Sequence, residues 1–72
     1  MSSIVDARGL SCPQPVILTL NKIKELGKGR IEVLVDTDTS KENVSRAATS
    51  KGWEVKDIAP DGTGYRLTLN KP

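Results

Sequence analysis

Cys12-Pro13-Gln14-Pro15-Val16-Ile17-Leu18-Thr19-Leu20 sets two prolines, one residue apart, directly in front of an apolar run. Proline has no amide hydrogen and a φ fixed near the helical value. It therefore suits the first turn of a helix, where that hydrogen would have no partner, and disrupts a helix further in. The stretch opens a helix, with Ser11 or Cys12 as its cap residue. At about 100° per residue, Val16, Leu20 and Ile23 fall within a narrow arc flanked by Ile17 and Leu26, and the pattern stops at Gly27 or Gly29. That arc is expected to face a sheet. Leu18 points nearly opposite it, beside Asn21, Lys22 and Glu25, and is a candidate exposed apolar residue.

Working outward, Ile4-Val5 within Ser3 to Ala7 reads as a short strand, and Arg8-Gly9-Leu10-Ser11 as the turn that leads into the helix. On the other side, Arg30-Ile31-Glu32-Val33-Leu34-Val35 is rich in β-branched residues and reads as a largely buried central strand. A strand, a helix and a strand of these lengths fit a parallel crossover, with the first two strands paired and the helix over one face. Cys12 then lies just past the C-terminal edge of the first strand.

Asp36 to Ser40 is a polar connection. Thr39 with Glu42 three residues on has the spacing of a capping box for a second helix, whose thin apolar face is Val44, Ala47 and Ala48. Lys51-Gly52 ends it. Trp53 to Ala59 alternates imperfectly, Pro60-Asp61-Gly62-Thr63-Gly64 is expected to turn, and Tyr65 to Leu69 alternates again, which is a β-hairpin. The order is β-α-β-α-β-β. With both helices on one face of the sheet this is an α/β chain of the α+β kind, a two-layer sandwich forming a single domain over 1–72.

Composition narrows the function. The 72 residues suffice for one domain, and a core of this size is too small for a deep enclosed active site. Phe is absent and Trp53 and Tyr65 are the only aromatics, so the core is aliphatic. No apolar run approaches a membrane span and the first residues lack a secretory pattern, so a cytoplasmic location and no membrane partner are expected. Eleven basic and nine acidic residues are spread along the chain, without the basic block and aromatic interleaving of a strong direct nucleic-acid binder. One cysteine and no histidine exclude a disulfide framework and a Cys-rich zinc site, and remove triad chemistry. No metal and no cofactor are expected.

Cys12 is thus the candidate catalytic residue. A free thiol with a pKa of about 8.5 is only ~3% thiolate at pH 7, and the positive end of a helix raises that fraction. Pro13 and Pro15 have no N–H, leaving Gln14 and Val16 as the nearby backbone donors for a sulfur anion. Arg8 is close enough in sequence to add a cation, or to turn to Asp6 or solvent instead. A lone cysteine is also often a small buried hydrophobe, so both readings stand at this point. Without a histidine to act as base, hydrolysis is poorly served. Transfer of sulfur between thiols needs no base in the chain and leaves the remaining catalytic groups to partner enzymes, as in a sulfurtransferase-like carrier.

Asp6-Ala7-Arg8-Gly9-Leu10-Ser11-Cys12-Pro13-Gln14-Pro15 resembles the signature of the TusA/SirA/YedF family, a Cys-Pro-x-Pro motif preceded by Gly-Leu and an Asp. The likeness runs on through Val35-Asp36, Lys41-Glu42-Asn43-Val44, Lys51-Gly52-Trp53 and the closing hairpin, and is nearest to the YedF branch. It implies a mixed four-stranded sheet under two helices, with the last strand antiparallel to the others. It also implies a sulfur carrier with Cys12 as the persulfide site, in relays such as tRNA thiolation or sulfur and selenium metabolism. Pro13 and Pro15 would shape the helix start, and Asp6, Gly9 and Leu10 would hold the loop presenting the cysteine. The partners implied are a protein sulfur donor, such as a cysteine desulfurase, and a protein acceptor. The competing reading is a protein- or RNA-binding regulatory module in which Cys12 is incidental.

Overall fold

The computed structural model of the chain describes residues 2–10 and 14–71. Its elements are β1 (Ser2–Asp6), α1 (Gln14–Leu26), β2 (Gly29–Val35), α2 (Asp38–Ser50), β3 (Glu54–Asp61) and β4 (Gly64–Lys71). They form one sheet of order β1-β2-β4-β3. β1 and β2 are parallel, with Val5 opposite Val33, while β4 runs antiparallel to both β2 and β3. The two helices pack beside each other on one face of this mixed sheet, as expected.

Alternation in the central strands decides which face is covered. Ile31, Val33 and Val35 of β2 and Leu67 and Leu69 of β4 are fully buried, and Val5, Ala7, Ile23, Val44, Ala48 and Trp53 complete the core. The intervening positions form the open face, where Ile4 is 65% exposed beside Glu32.

The structure corrects three expectations and settles one point the sequence left open, each for a physical reason. First, the buried face of α1 is Pro15, Thr19 and Ile23, rotated by roughly 60° from the arc read in the sequence, at about 100° per residue. Thr19 is fully buried because its hydroxyl donates to the Pro15 carbonyl at 2.8 Å, which leaves its methyl group to pack as in valine. The rotation brings Leu18 against the core and leaves Ile17 exposed instead.

Second, α2 starts two residues earlier than the Thr39–Glu42 spacing suggested. Its cap is Thr37, extended at φ −135° and ψ 154°, whose side chain accepts the Ser40 amide hydrogen at 3.1 Å. Third, β3 carries a bulge between Val55 and Asp57. It shifts the positions paired with the buried leucines of β4 from Val55 opposite Leu69 to Ile58 opposite Leu67, with Ile58 still 42% exposed at the sheet edge, which accounts for the imperfect alternation. Fourth, Pro60 belongs to β3 rather than to the turn, which shrinks to Gly62-Thr63. An edge strand tolerates proline because one side of its backbone has no neighbour to bond.

Candidate functional site

The three strands β1, β2 and β3 end on the same edge of the sheet, and there the segment from Ala7 to Leu10 leaves β1. Ala7 is buried and its amide donates to the Leu34 carbonyl at 2.8 Å, extending the β1–β2 ladder by one step. The Leu10 amide then donates back to the Ala7 carbonyl at 3.4 Å, closing a four-residue turn with Arg8 and Gly9 at its centre. Gly9 has φ +77°, the left-handed value that the third residue of such a turn requires and that a side chain disfavours.

Two carboxylates hold this turn. Asp36, at the end of β2, accepts the Gly9 amide at 2.8 Å. Asp6 accepts the Arg8 amide at 3.2 Å and takes the guanidinium as a fork, at 3.0 Å from Nε and 2.9 Å from the terminal nitrogen. Of the directions open to Arg8, it therefore takes Asp6. The side-chain hydrogen bond from Arg8, and after it the backbone one, pulls the Asp6 carboxyl down to about 2. The same side-chain bond raises Arg8, so both groups stay ionised and paired through neutral pH.

Ser11, Cys12 and Pro13 lie outside the described residues, so of the predicted site residues Cys12 and Pro13 receive no geometry. The described ones bracket them. Asp6, Arg8, Gly9 and Leu10 form the turn before them. Gln14, exposed, is the first residue of α1, and Pro15, buried, anchors the first turn against the sheet. That first turn has no acidic side chain, so among the described residues the turn itself supplies no counter-charge to the positive end of the helix dipole.

Asp36 was missed as a site residue. The family likeness at Val35-Asp36 marked the position, but nothing local pointed to its role, because its partner is 27 positions away. A second missed feature is Gly64, where a Cβ would fall 2.1 Å from the Val35 carbonyl oxygen and 2.6 Å from the Asp36 Cα. Only glycine lets the β3–β4 hairpin close against the end of β2 that carries Asp36. Next to it, Tyr65 donates its hydroxyl hydrogen to Asp38, and Lys41 sits over the Tyr65 ring at 4.5 Å from its centroid. The bond to Asp38, followed by that carboxylate's charge, raises the Tyr65 phenol above its ordinary value.

Comparison with known proteins agrees with this architecture. The family model described as sulfurtransferase TusA matches residues 3–71. The putative sulfur carrier protein YedF of Escherichia coli K12 is 37% identical over 68 residues, covering 93% of this chain and 88% of that protein. The sulfur carrier protein TusA of Pseudomonas aeruginosa LESB58 is 28% identical over 72 residues, covering 99% of this chain and 91% of that one. The crystal structure of a SirA-like protein from Desulfitobacterium hafniense superposes with a TM-score of 0.86 at 33% identity, over 94% of this chain and 95% of that one. With a family model matched over nearly the whole chain, and both sequence and fold shared with these relatives, this protein belongs to the TusA family of sulfur carriers.

Proposed function

We propose that the chain relays sulfur as a persulfide on Cys12, receiving it from a protein donor of the cysteine desulfurase kind and passing it to a protein acceptor in a relay such as tRNA thiolation or sulfur and selenium metabolism. The observation that carries this reading is the single cysteine of a sulfur-carrier family member, standing in Cys12-Pro13-Gln14-Pro15 two residues before a helix whose first turn has no acidic side chain. Membership in such a family implies protein partners, and the absence of histidine leaves proton handling to them. A cytoplasmic location belongs to the same reading. No observation favours the regulatory module with an incidental cysteine.

The transfer balances without an outside oxidant. The Cys12 thiolate attacks the outer sulfur of the donor's persulfide, forming a new S–S bond to Cys12 while the donor's own S–S bond breaks and its cysteine leaves as thiolate. The acceptor repeats the exchange on the outer sulfur of Cys12 and returns it to the thiolate. A helix start favours the anionic form of Cys12 at both stages. The Asp6–Arg8 fork and the Asp36–Gly9 bond support the reading by fixing the turn that precedes the cysteine.

Incubation with a cysteine desulfurase and cysteine should add about 32 Da per sulfur, removed by dithiothreitol and absent from Cys12→Ser. Failure to load Cys12 from any desulfurase or from inorganic polysulfide would overturn the proposal.

A further inference from the structure

The end of the molecule away from the turn formed by Ala7 to Leu10 holds a cleft of about 390 Å³ between the C-terminal half of α1, the end of α2 and the end of β4. Leu20, Ile23 and Trp53 give it apolar walls, and Lys24, Lys51 and Lys71 stand around them. None of the residues lining it is acidic. Lys22, Lys41 and Lys56 each have a carboxylate partner, at 3.2, 3.7 and 3.5 Å. Among the described residues the three cleft lysines form no such ion pair. The Lys71 ammonium folds back over Gly52, 3.3 Å from where a Cβ would lie there, so it rests against the negative end of α2.

Three lysines without a carboxylate partner among the described residues, set around an apolar hollow, specify an occupant of opposite charge with an apolar centre. We propose that the cleft docks an acidic segment of a partner protein, with one leucine-like side chain seated against Leu20, over the nearly buried Ile23 and Trp53, and flanking Asp or Glu carboxylates on the three lysines. The choice of a protein occupant rests on the carrier reading, which requires protein partners. RNA fits less well: Trp53 is 2% exposed and offers no open ring for a base to stack on, and apolar walls waste a phosphate's contacts. From Gln14 to Lys24 the helix rises about 15 Å, so a segment docked here leaves the Cys12 end open to a donor's active site.

The test is titration of the full chain with the blocked peptide Asp-Glu-Leu-Glu-Glu, followed by amide NMR and by Trp53 fluorescence. Binding should perturb Leu20, Lys24, Gly52 and the Trp53 indole while sparing Arg8 and Gly9. Affinity should fall about tenfold in the Lys24→Glu, Lys51→Glu double variant, whose fold is checked by its own amide spectrum, and several-fold when the peptide's leucine becomes glycine. Absence of binding, shifts spread over Lys28 and Arg46 as well, or tighter binding of an oligouridylate would each overturn the proposal. Sulfur loading of Cys12 from inorganic polysulfide, measured on the unsubstituted chain beside the peptide titration, separates the two readings. Loading without peptide binding removes the docking site alone, and peptide binding without loading removes the carrier function alone.

Discussion

Asp36 reaches across 27 positions of sequence to accept the Gly9 amide, and the turn it holds is the last described structure before Cys12. In Asp36→Ala that amide returns to water, which costs about 0.5 to 1.5 kcal/mol and leaves the fold intact. The larger effect falls on presentation of the cysteine. Persulfide uptake from a desulfurase should slow about fivefold, since small misplacements of a reacting group are costly, and Asp36→Asn, which keeps an oxygen acceptor, should recover most of it. Equal uptake rates in all three proteins would show that the turn does not govern Cys12. The Asp6–Arg8 fork makes a different prediction, because both side chains are about half exposed, at 54% and 53%, and such pairs contribute little at neutral pH. Asp6 is lowered from 3.8 to about 2 in the folded chain. Its contribution is therefore complete above the unfolded value near pH 4 and is lost as pH falls toward 2. A carboxyl-carbon NMR titration should find the Asp6 midpoint near 2, and in Arg8→Ala it should climb back toward 3.8.

The elements themselves were largely legible, and the misreadings share a cause. Prolines, glycines and the period of apolar residues identify all six elements from local rules. What local rules did not supply was the partner of each polar side chain. Thr19 counts as polar in a periodicity, yet in α1 its hydroxyl is satisfied by the Pro15 carbonyl, and it sits at the centre of the buried face. Thr39 has the better capping-box sequence, but the chain is already helical by Asp38 because Asp36 is held at the Gly9 turn and Thr37 is extended. The site divides the same way. The motif residues were visible as a contiguous string, whereas Asp36 and Gly64 act only through strand pairing. A pair of variants separates the cap assignments. Thr37→Ala should lose about 1 kcal/mol, equivalent to about 4 to 8 °C in melting temperature for a domain of this size, while Thr39→Ala should melt within a degree or so of the parent. The reverse order in calorimetry would return the helix start to Thr39.

At the scale of the molecule, charge is separated along the strands. Asp6, Asp36 and Asp61 close the C-terminal ends of β1, β2 and β3, with Asp38 at the start of α2. Lys24, Lys28, Arg30, Lys51 and Lys71 gather at the opposite end, outnumbering Glu25 and Glu54 there, as the aspartates outnumber Arg8 and Lys41 at theirs. A net charge of +2 conceals this arrangement, which orients the carrier in a partner's field before contact. The two ends are joined by a core to which the central strands β2 and β4 contribute the sheet's side chains of zero exposure among the described residues. Leu67 lies there, between Val33 on β2 and Ile58 on β3, with no exposure. A chain of 72 residues has about 4 to 10 kcal/mol of stability in all, and Leu67→Ala removes about 2 to 5 of it by losing buried methyls and leaving a cavity. Urea midpoints should therefore drop by roughly half with an unchanged slope, the mark of a less stable but equally compact native state. Sulfur loading then distinguishes core from site. Leu67→Ala should load Cys12 normally at about 15 °C, near the usual stability maximum, and fail on warming together with its far-ultraviolet signal. Asp36→Ala should load slowly at both temperatures, because its defect lies in the turn rather than in the population of folded molecules. A Leu67→Ala protein that stayed folded but loaded slowly in the cold would mean that the core positions the cysteine directly.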